Sequence, residues 1–455
     1  MKYVVVVPDG MGDHPLKELG GKTPLEAART PNMDFFAKRG TAGLSRNIPK
    51  GFVPGTDVGC MSIFGYDPRR YFTGRGPLEA AELGIRLNKD ELAFRCNLVT
   101  TEGEILKDFS AGHISTKEAG ALLRFLDEKL RRAYRGRIRF YAGEGTGYRN
   151  LMIVKDGKRE AEKAFCTPPH DIMGQPYKRF LPKGRSAGML VRLMMRSREL
   201  FKDHPVNRRR AHEGKGEASM IWLWGQGFSP RLPSYAERFG LKGAVITAVD
   251  LVKGIAIHAG LDVIHVPGVT GFFDTNYAGK AEYAVRALRT RDFVMVHLES
   301  TDEAGHMGSA KFKVKAIQDV DRFVLGTLKR RLREEFEAYK IMVLPDHFTC
   351  VETRTHSSDP VPFLIYSNKE ERKGPAKFSE RTAAASGIVI QQGYRLMGMF
   401  ISLSQGGRVR WMEAGPVGVH LTNMPVKLRH IGKGFGRRHP PDTVGSDSIR
   451  IRGKK

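Results

Sequence analysis

An α/β fold, with a mostly parallel sheet, helices on both faces and an inserted second block of different texture, is what this 455-residue sequence predicts. Three observations lead there. Short apolar runs rich in β-branched residues end in Gly, Pro, Asp or Ser; amphipathic segments separate them; and one run opens the chain while the others begin only after residue 220. Strands of a parallel sheet are buried on both faces, so they read as unbroken apolar runs, and a crossover segment is needed between each pair.

The runs are Tyr3–Val7, Ile221–Trp224, Ala244–Thr247, Val263–Val266, Phe293–Leu298, Ile341–Leu344 and Pro362–Tyr366. In Phe312–Glu334, the residues Val314, Ile317, Val320, Val324 and Leu325 recur at helical spacing. The stretch 88–218 holds a basic helical run (Lys117–Arg135), the Pro-rich segment Cys166–Asp171 and the charged Asn207–Glu217. It is expected to form a cap domain inserted into a discontinuous sheet domain of residues 1–87 plus 219–402. Residues 403–455 show little periodicity, much Gly and a basic excess, and are expected to be a poorly ordered tail.

Composition narrows the class. With 41% hydrophobic and 27% charged residues the chain can bury a large core, which excludes a small stapled module and a disordered protein. Cys60, Cys96, Cys166 and Cys350 form no C-x-x-C pair, which argues against a zinc knuckle or a disulfide framework and for a reducing, cytoplasmic setting. The opening MKYVVVVPDG is too brief for a signal-peptide core, and no stretch approaches the ~20 apolar residues of a membrane span, so no membrane partner is expected. The net charge is +26; the tail contributes +8 of it from eleven basic and three acidic residues, leaving +18 spread over the rest. Without an RNA-recognition signature, an aromatic-interleaved basic strand or a helix-turn-helix pattern, nucleic acid is not expected as the main partner. An anionic small substrate, or a proteome that is basic throughout, accounts for the charge equally well.

Functional groups in open α/β sheets gather at the carboxyl ends of the strands. The first run ends at Asp9; Phe293–Leu298 leads into Asp302 and, four residues on, His306; Ile341–Leu344 leads into Asp346-His347; and His356 precedes the run at Pro362. One Asp at such a place is ordinarily a solvated loop residue. Three Asp and three His together are the nitrogen and oxygen donor set for two adjacent divalent ions, suited to Mn, Zn or Co over Ca. A two-metal site serves phosphoryl transfer and then needs a nucleophile, which Thr56 supplies inside the Gly-flanked turn PGTDVG.

The segments VVPDGMGDHP, GKTPLEAARTPNMD, PGTDVGCMSIFGYDPRRYFTGRGPLEAAELGI, FSAGHIST, TPPHDI, FDTNYAGKAEYA, STDEAGHMG and PDHFT, in this order, resemble the archaeal-type 2,3-bisphosphoglycerate-independent phosphoglycerate mutases of the alkaline phosphatase superfamily, over residues 1–402. The resemblance implies an alkaline-phosphatase-like sheet domain with two divalent ions, Mn²⁺ first and Co²⁺, Zn²⁺ or Mg²⁺ as alternatives. One ion would lie on Asp302, His306 and His356, the other on Asp9, Asp346, His347 and the Thr56 oxygen. It further implies a phosphoenzyme at Thr56 and the interconversion of 3-phosphoglycerate and 2-phosphoglycerate in glycolysis and gluconeogenesis, without free 2,3-bisphosphoglycerate. His113 matches the histidine the family places on the phosphoryl or hydroxyl group. Arg75 is a candidate anion clamp, Asp171 a candidate base and Lys253 a further substrate-binding candidate. Thr56 stands where Ser is more typical, and Met307 where an acidic residue is commoner. A metal-dependent phosphatase or another phosphotransferase, homoserine-kinase-like, is the alternative, and monomer or homo-oligomer is left open.

Overall fold

A computed structural model describes residues 1–160 and 163–402. The expected tail, 403–455, lies outside the described residues. The strands, in chain order, are β1 (Lys2–Pro8), β2 (Thr41–Ser45), β3 (Leu92–Glu102), β4 (Ile105–Asp108), β5 (Ile138–Thr146), β6 (Arg149–Val154), β7 (Met220–Phe228), β8 (Gly243–Ile246), β9 (Asp262–Val263), β10 (Phe293–Leu298), β11 (Tyr339–Val343), β12 (Phe348–Cys350), β13 (Thr355–Ser357), β14 (Val361–Ser367) and β15 (Val389–Ile390).

Eight of them form one sheet in the order β15-β2-β14-β11-β1-β10-β8-β9. The pairings β11-β1, β1-β10, β10-β8, β8-β9 and β15-β2 are parallel, and β14 runs antiparallel to both neighbours. The run at Pro362 is thus a strand of this sheet but not a parallel one. Side chains alternate across the pleat, and the central strand shows how both faces are used. Val4 and Val6 pack with Phe36, Val285, Ile317 and Leu328 on one face; Tyr3, Val5 and Val7 pack with Met61, Val252, Ile255 and Phe400 on the other. Burial of each such side chain contributes roughly 1.5–3 kcal/mol against the entropy of ordering it.

A second sheet is antiparallel throughout, in the order β4-β3-β6-β5, with β7 on the free side of β3. This corrects the expectation for Ile221–Trp224. Its apolar composition fits either sheet, but Trp222 pairs with Asn97 and is fully buried with Phe94, Leu122, Leu193 and Phe201 in this sheet's own core. The expected boundary at 219 therefore falls one strand early. Val263–Val266 is also shorter than expected, with only Asp262–Val263 in a ladder. The basic run is helical over Thr116–Arg131, begun by a capping box of Ser115 and Glu118. Phe312–Glu334 is one helical rod with a π-helical stretch at Val320–Leu325, where the Asp321 carboxylate accepts from the backbone N–H of Asn32 and Met33.

The four cysteines are free, three of them buried. No helix among the described residues is long and apolar enough to cross a membrane.

Candidate active site

Parallel neighbours end at the same edge, so β1, β10 and β11 deliver their following residues to one place. Asp9 follows β1. Asp302 and His306 lie one turn apart in the helix Ser300–His306 after β10, and Asp346-His347 follow β11. The hairpin of β12 and β13 returns His356 opposite Thr349. Thr56 is the first residue of the helix Thr56–Ile63. Two glycines allow the approach: a Cβ on Gly10, at φ +58, would stand 2.2 Å from Thr349 Oγ1 and 2.6 Å from Asp302 Oδ1, and one on Gly59 would stand 2.8 Å from the Asp346 carbonyl oxygen.

The seven expected ligand residues converge. Thr56 Oγ1 lies 3.5 Å from Asp9 Oδ2 and 3.4 Å from His347 Nε2. His347 Nε2 lies 3.2 Å from Asp346 Oδ2 and 3.5 Å from Asp9 Oδ1. On the other side, Asp302 meets His306 Nε2 at 3.2 Å and His356 Nε2 at 3.3 Å, and those two nitrogens are 3.0 Å apart. Asp9, Asp346 and His347 are buried, whereas the His306 side chain is 39% exposed, so the centre opens toward solvent on the Asp302 side.

The donor set fits divalent cations. A carbonyl oxygen can only accept, so the bonds from His306 Nδ1 to Arg354 O, His356 Nδ1 to Pro54 O and His347 Nδ1 to Phe348 O make each Nδ1 the donor and leave Nε2 to face the cluster. Bonds of ~2.1 Å hold neighbouring donor atoms about 3.0–3.4 Å apart, close to the 3.0–3.5 Å spacing seen here. Electrostatics agree. Burial pushes Asp9 well above the usual carboxylate range, and the charges of Asp346 and Asp302 add to it. Hydrogen bonding to Asp302 raises His306 to about 9. A field that binds a proton this tightly binds a cation too.

The second group of expected residues is arranged differently. Arg75 Nε donates to the buried Asp57 at 2.7 Å, and the guanidinium lies 5.5 Å from the Trp224 ring. An Arg75 terminal nitrogen is 3.1 Å from where a Cβ on Gly55 would be, which puts it beside the Thr56 turn. Asp171 is exposed and 3.7 Å from His170 Nε2. His113 is exposed and held at φ 49 by a turn in which Asp108 accepts from Ser110 and Gly112; a left-handed non-glycine residue stores strain that ordinary loops avoid. Lys253 Nζ is occupied by Asp250 at 2.8 Å and Glu82 at 3.2 Å, holding its helix against Gly76–Glu82.

Several neighbours escaped sequence reasoning. Arg95 is paired with Glu79 at 3.0 Å and stacked 4.3 Å from Trp224, and burial lowers His170 in a field to which Arg75, Arg95 and Arg149 contribute. Arg95 and Arg149 come from separate strands, β3 and β6, so no local motif marks them. His297, within β10, is buried with Nε2 at 3.4 Å from Asp9 Oδ2. Its one signal is a polar residue inside an otherwise apolar parallel strand.

Residues 37–207 match the family described as 2,3-bisphosphoglycerate-independent phosphoglycerate mutase. A mutase of that name from Methanosarcina acetivorans is 46% identical over 404 residues, which is 89% of this chain and 100% of that one. A probable one from Geobacter sulfurreducens is 48% identical, over 88% of this chain and 100% of that one. Among solved structures, a cofactor-independent phosphoglycerate mutase from Thermoplasma acidophilum superposes with a TM-score of 0.61 at 28% identity, covering 89% of this chain and 100% of that one. Similarity of this extent, together with a strand-end centre of three carboxylates and three imidazoles, makes the chain a member of the 2,3-bisphosphoglycerate-independent phosphoglycerate mutase family.

Proposed function

We propose that the chain interconverts 3-phosphoglycerate and 2-phosphoglycerate in the cytoplasm, in glycolysis and gluconeogenesis, through a phosphoenzyme at Thr56. The observation that carries this reading is the Thr56 hydroxyl at 3.5 Å from Asp9 and 3.4 Å from His347, against the buried half of the carboxylate and imidazole cluster. Two divalent ions, Mn²⁺ by preference, would be held by Asp302, His306 and His356 and by Asp9, Asp346, His347 and Thr56. Bound there, they supply positive charge against the phosphoryl oxygens and favour the alkoxide of the nucleophile.

The chain's own groups do the rest. Thr56 Oγ forms a bond to phosphorus as the ester bond from phosphorus to the 3-oxygen of glycerate breaks, and His113 gives that oxygen a proton. The glycerate turns without leaving. Its 2-hydroxyl then attacks the phosphothreonine, Asp171 takes the hydroxyl proton, and Thr56 Oγ leaves. Arg75 grips the carboxylate with the N–H groups not spent on Asp57, and Arg149 adds positive field. Because donor and acceptor are one molecule, free bisphosphoglycerate is not required. In this reading residues 88–218, extended through β7, act as a cap over a sheet domain of 1–87 and the remainder to 402, and exclusion of water by the cap separates a mutase from a phosphatase. Lys253 serves to position the helix Gly76–Glu82.

The test is to incubate the protein with Mn²⁺ and 3-phosphoglycerate alone, follow 2-phosphoglycerate and inorganic phosphate, and map phosphate on the acid-quenched protein. Isomerisation with phosphate on Thr56 is expected. Release of inorganic phosphate as the main product would make the chain a phosphatase.

A further inference from the structure

Three histidines of the centre share one arrangement: Nδ1 donates to a fixed acceptor and Nε2 faces the carboxylates. A fourth histidine, outside the expected ligand set, repeats it. His297 is fully buried, its Nδ1 lies 3.3 Å from Glu299 Oε1, and its Nε2 is buried without a hydrogen bond, 3.4 Å from Asp9 Oδ2. Asp9 Oδ1 is likewise buried and without a hydrogen bond.

Glu299 is built to receive the imidazole N–H. Its Oε2 accepts from the buried Lys280 ammonium at 2.7 Å, and its Oε1 accepts from the Ala248 backbone at 2.8 Å and the Thr247 hydroxyl at 3.2 Å. Lys280 also donates to the His297 carbonyl at 2.7 Å, which ties the carboxylate to the strand that carries the ring. A carboxylate on one ring nitrogen fixes the tautomer and leaves a lone pair on the other; this carboxylate–histidine arrangement accompanies metal-ligating imidazoles. The lone pair is aimed at the cluster: the donor atoms of His297, Asp346 and Cys60 lie within 4.8 Å of one another, and Asp9 Oδ2 lies at a distance that two donors on one cation adopt.

We propose that His297 Nε2 is a further ligand of the cation held by Asp9 and Asp346, with Glu299 and Lys280 as the residues that orient it. The assignment rests on the two-ion reading above. It gives that cation five protein donors, Asp9, Asp346, His347, Thr56 and His297, which suits Mn²⁺ or Co²⁺ better than the four-coordinate preference of structural Zn²⁺. It also gives the Glu299–Lys280 pair, buried directly behind the centre, a role in setting the ring.

The experiment is a Co²⁺ titration of the full chain, followed by elemental analysis and visible absorbance, for wild type, His297→Ala and Glu299→Gln. In wild type two ions are expected, with X-ray absorption counting four imidazoles shared between them. In His297→Ala the first ion should bind unchanged and the second at least ~100-fold more weakly, with a shifted absorption band. Glu299→Gln should weaken the second ion by about 10–100-fold. Three imidazoles in wild type, or an unchanged second affinity and spectrum in His297→Ala, would show that His297 only hydrogen-bonds Asp9 and would overturn the proposal. A third ion in wild type that vanishes in His297→Ala would overturn it as well, in favour of a separate site. If wild type takes up fewer than two ions, the two-ion reading itself falls. The wild-type spectrum decides even if a variant fails to fold.

Discussion

The centre at the end of β1, β10 and β11 and the group around Trp224 are built differently, in keeping with the different tasks proposed for them. In the first, the side chains of Asp9, Asp346 and His347 are at most 4% exposed and are locked by backbone contacts such as Gly10 N–H to Asp346 Oδ1 at 3.1 Å. Around Trp224, Arg75 and Arg95 are each anchored by a carboxylate and Asp171 is exposed, and the further candidate His113 is exposed on a turn of its own. Rigid strand ends suit groups that must stabilise charge at a fixed point. Turns on a separate sheet suit groups that follow a substrate which has to rotate.

The sharpest way to break this contrast is to remove the fixed centre. Asp346→Ala, His347→Ala or Thr56→Ala should each lower turnover by more than ~1000-fold, and exhaustive EDTA treatment should do the same until Mn²⁺ or Co²⁺ is restored. Thr56→Ser should keep substantial activity, because the hydroxyl survives. Coupled assays with metal content checked by elemental analysis decide the matter; a Thr56→Ala enzyme that isomerises at near wild-type rate would remove the nucleophile from Thr56.

Two carboxylates outside both regions, Glu380 and Glu118, should respond oppositely to pH. Burial pushes Glu380, beside Thr23, up to about 7, so the native state keeps a proton that the unfolded chain releases above its ordinary value near 4.5. Stability from this group is present below that value and is lost as pH climbs to 7, by on the order of 2 kcal/mol. Glu118 goes the other way. Burial opposes its ionisation, but Ser115, Arg209 and Arg210 hold it down at about 2, so its contribution is full above about 4.5 and is lost as pH falls toward 2. With a side chain 14% exposed, that contribution is on the order of 1–2 kcal/mol. Thermal melts should show Glu380→Gln flattening the decline between pH 5 and 8, and Glu118→Gln removing less than half as much stability at pH 3 as at pH 7. Identical slopes in variant and wild type would contradict both assignments.

A milder change addresses the second group alone. Arg75→Lys keeps a charge near Asp57 but loses the guanidinium fork, so KM should rise about tenfold while kcat changes less. A loss confined to kcat would move Arg75 into the reacting centre. The smallest effect is expected from ending the chain at Ser402, since both sheets and every site residue precede it. Folding and isomerisation should be almost unchanged, while any retention on heparin should weaken as eight net positive charges are removed. Loss of activity would show that the tail completes the enzyme.

What the sequence discloses follows the same division. Asp9 and Asp346-His347 can be read from it because a parallel strand announces itself as an apolar run, and the edge where it ends is fixed by topology. Ile221–Trp224 misleads because an apolar run carries neither the identity of its partner strand nor its direction. β2, with the sequence TAGLS, is too short and too small in its residues to stand out. His297 hides inside a run that is correctly read as a strand, and only the three-dimensional neighbours Glu299, Lys280 and Asp9 give its ring a purpose. Arg95 and Arg149 meet Arg75 around His170 through a sheet whose pairing is antiparallel and long-range, which no local spacing encodes.

Thr56 opens its helix half-buried between Asp9 and His347. A β-branched side chain has few rotamers, and at the first turn of a helix its methyl and hydroxyl cannot exchange places freely. A serine there would spend part of its time pointing the oxygen elsewhere, and would forfeit on the order of 0.5 kcal/mol of ordering entropy at each attack. In the proposed reaction the extra methyl would act as a rotational brake: it would take no part in bond making, yet it would keep the hydroxyl aimed where phosphorus is to arrive.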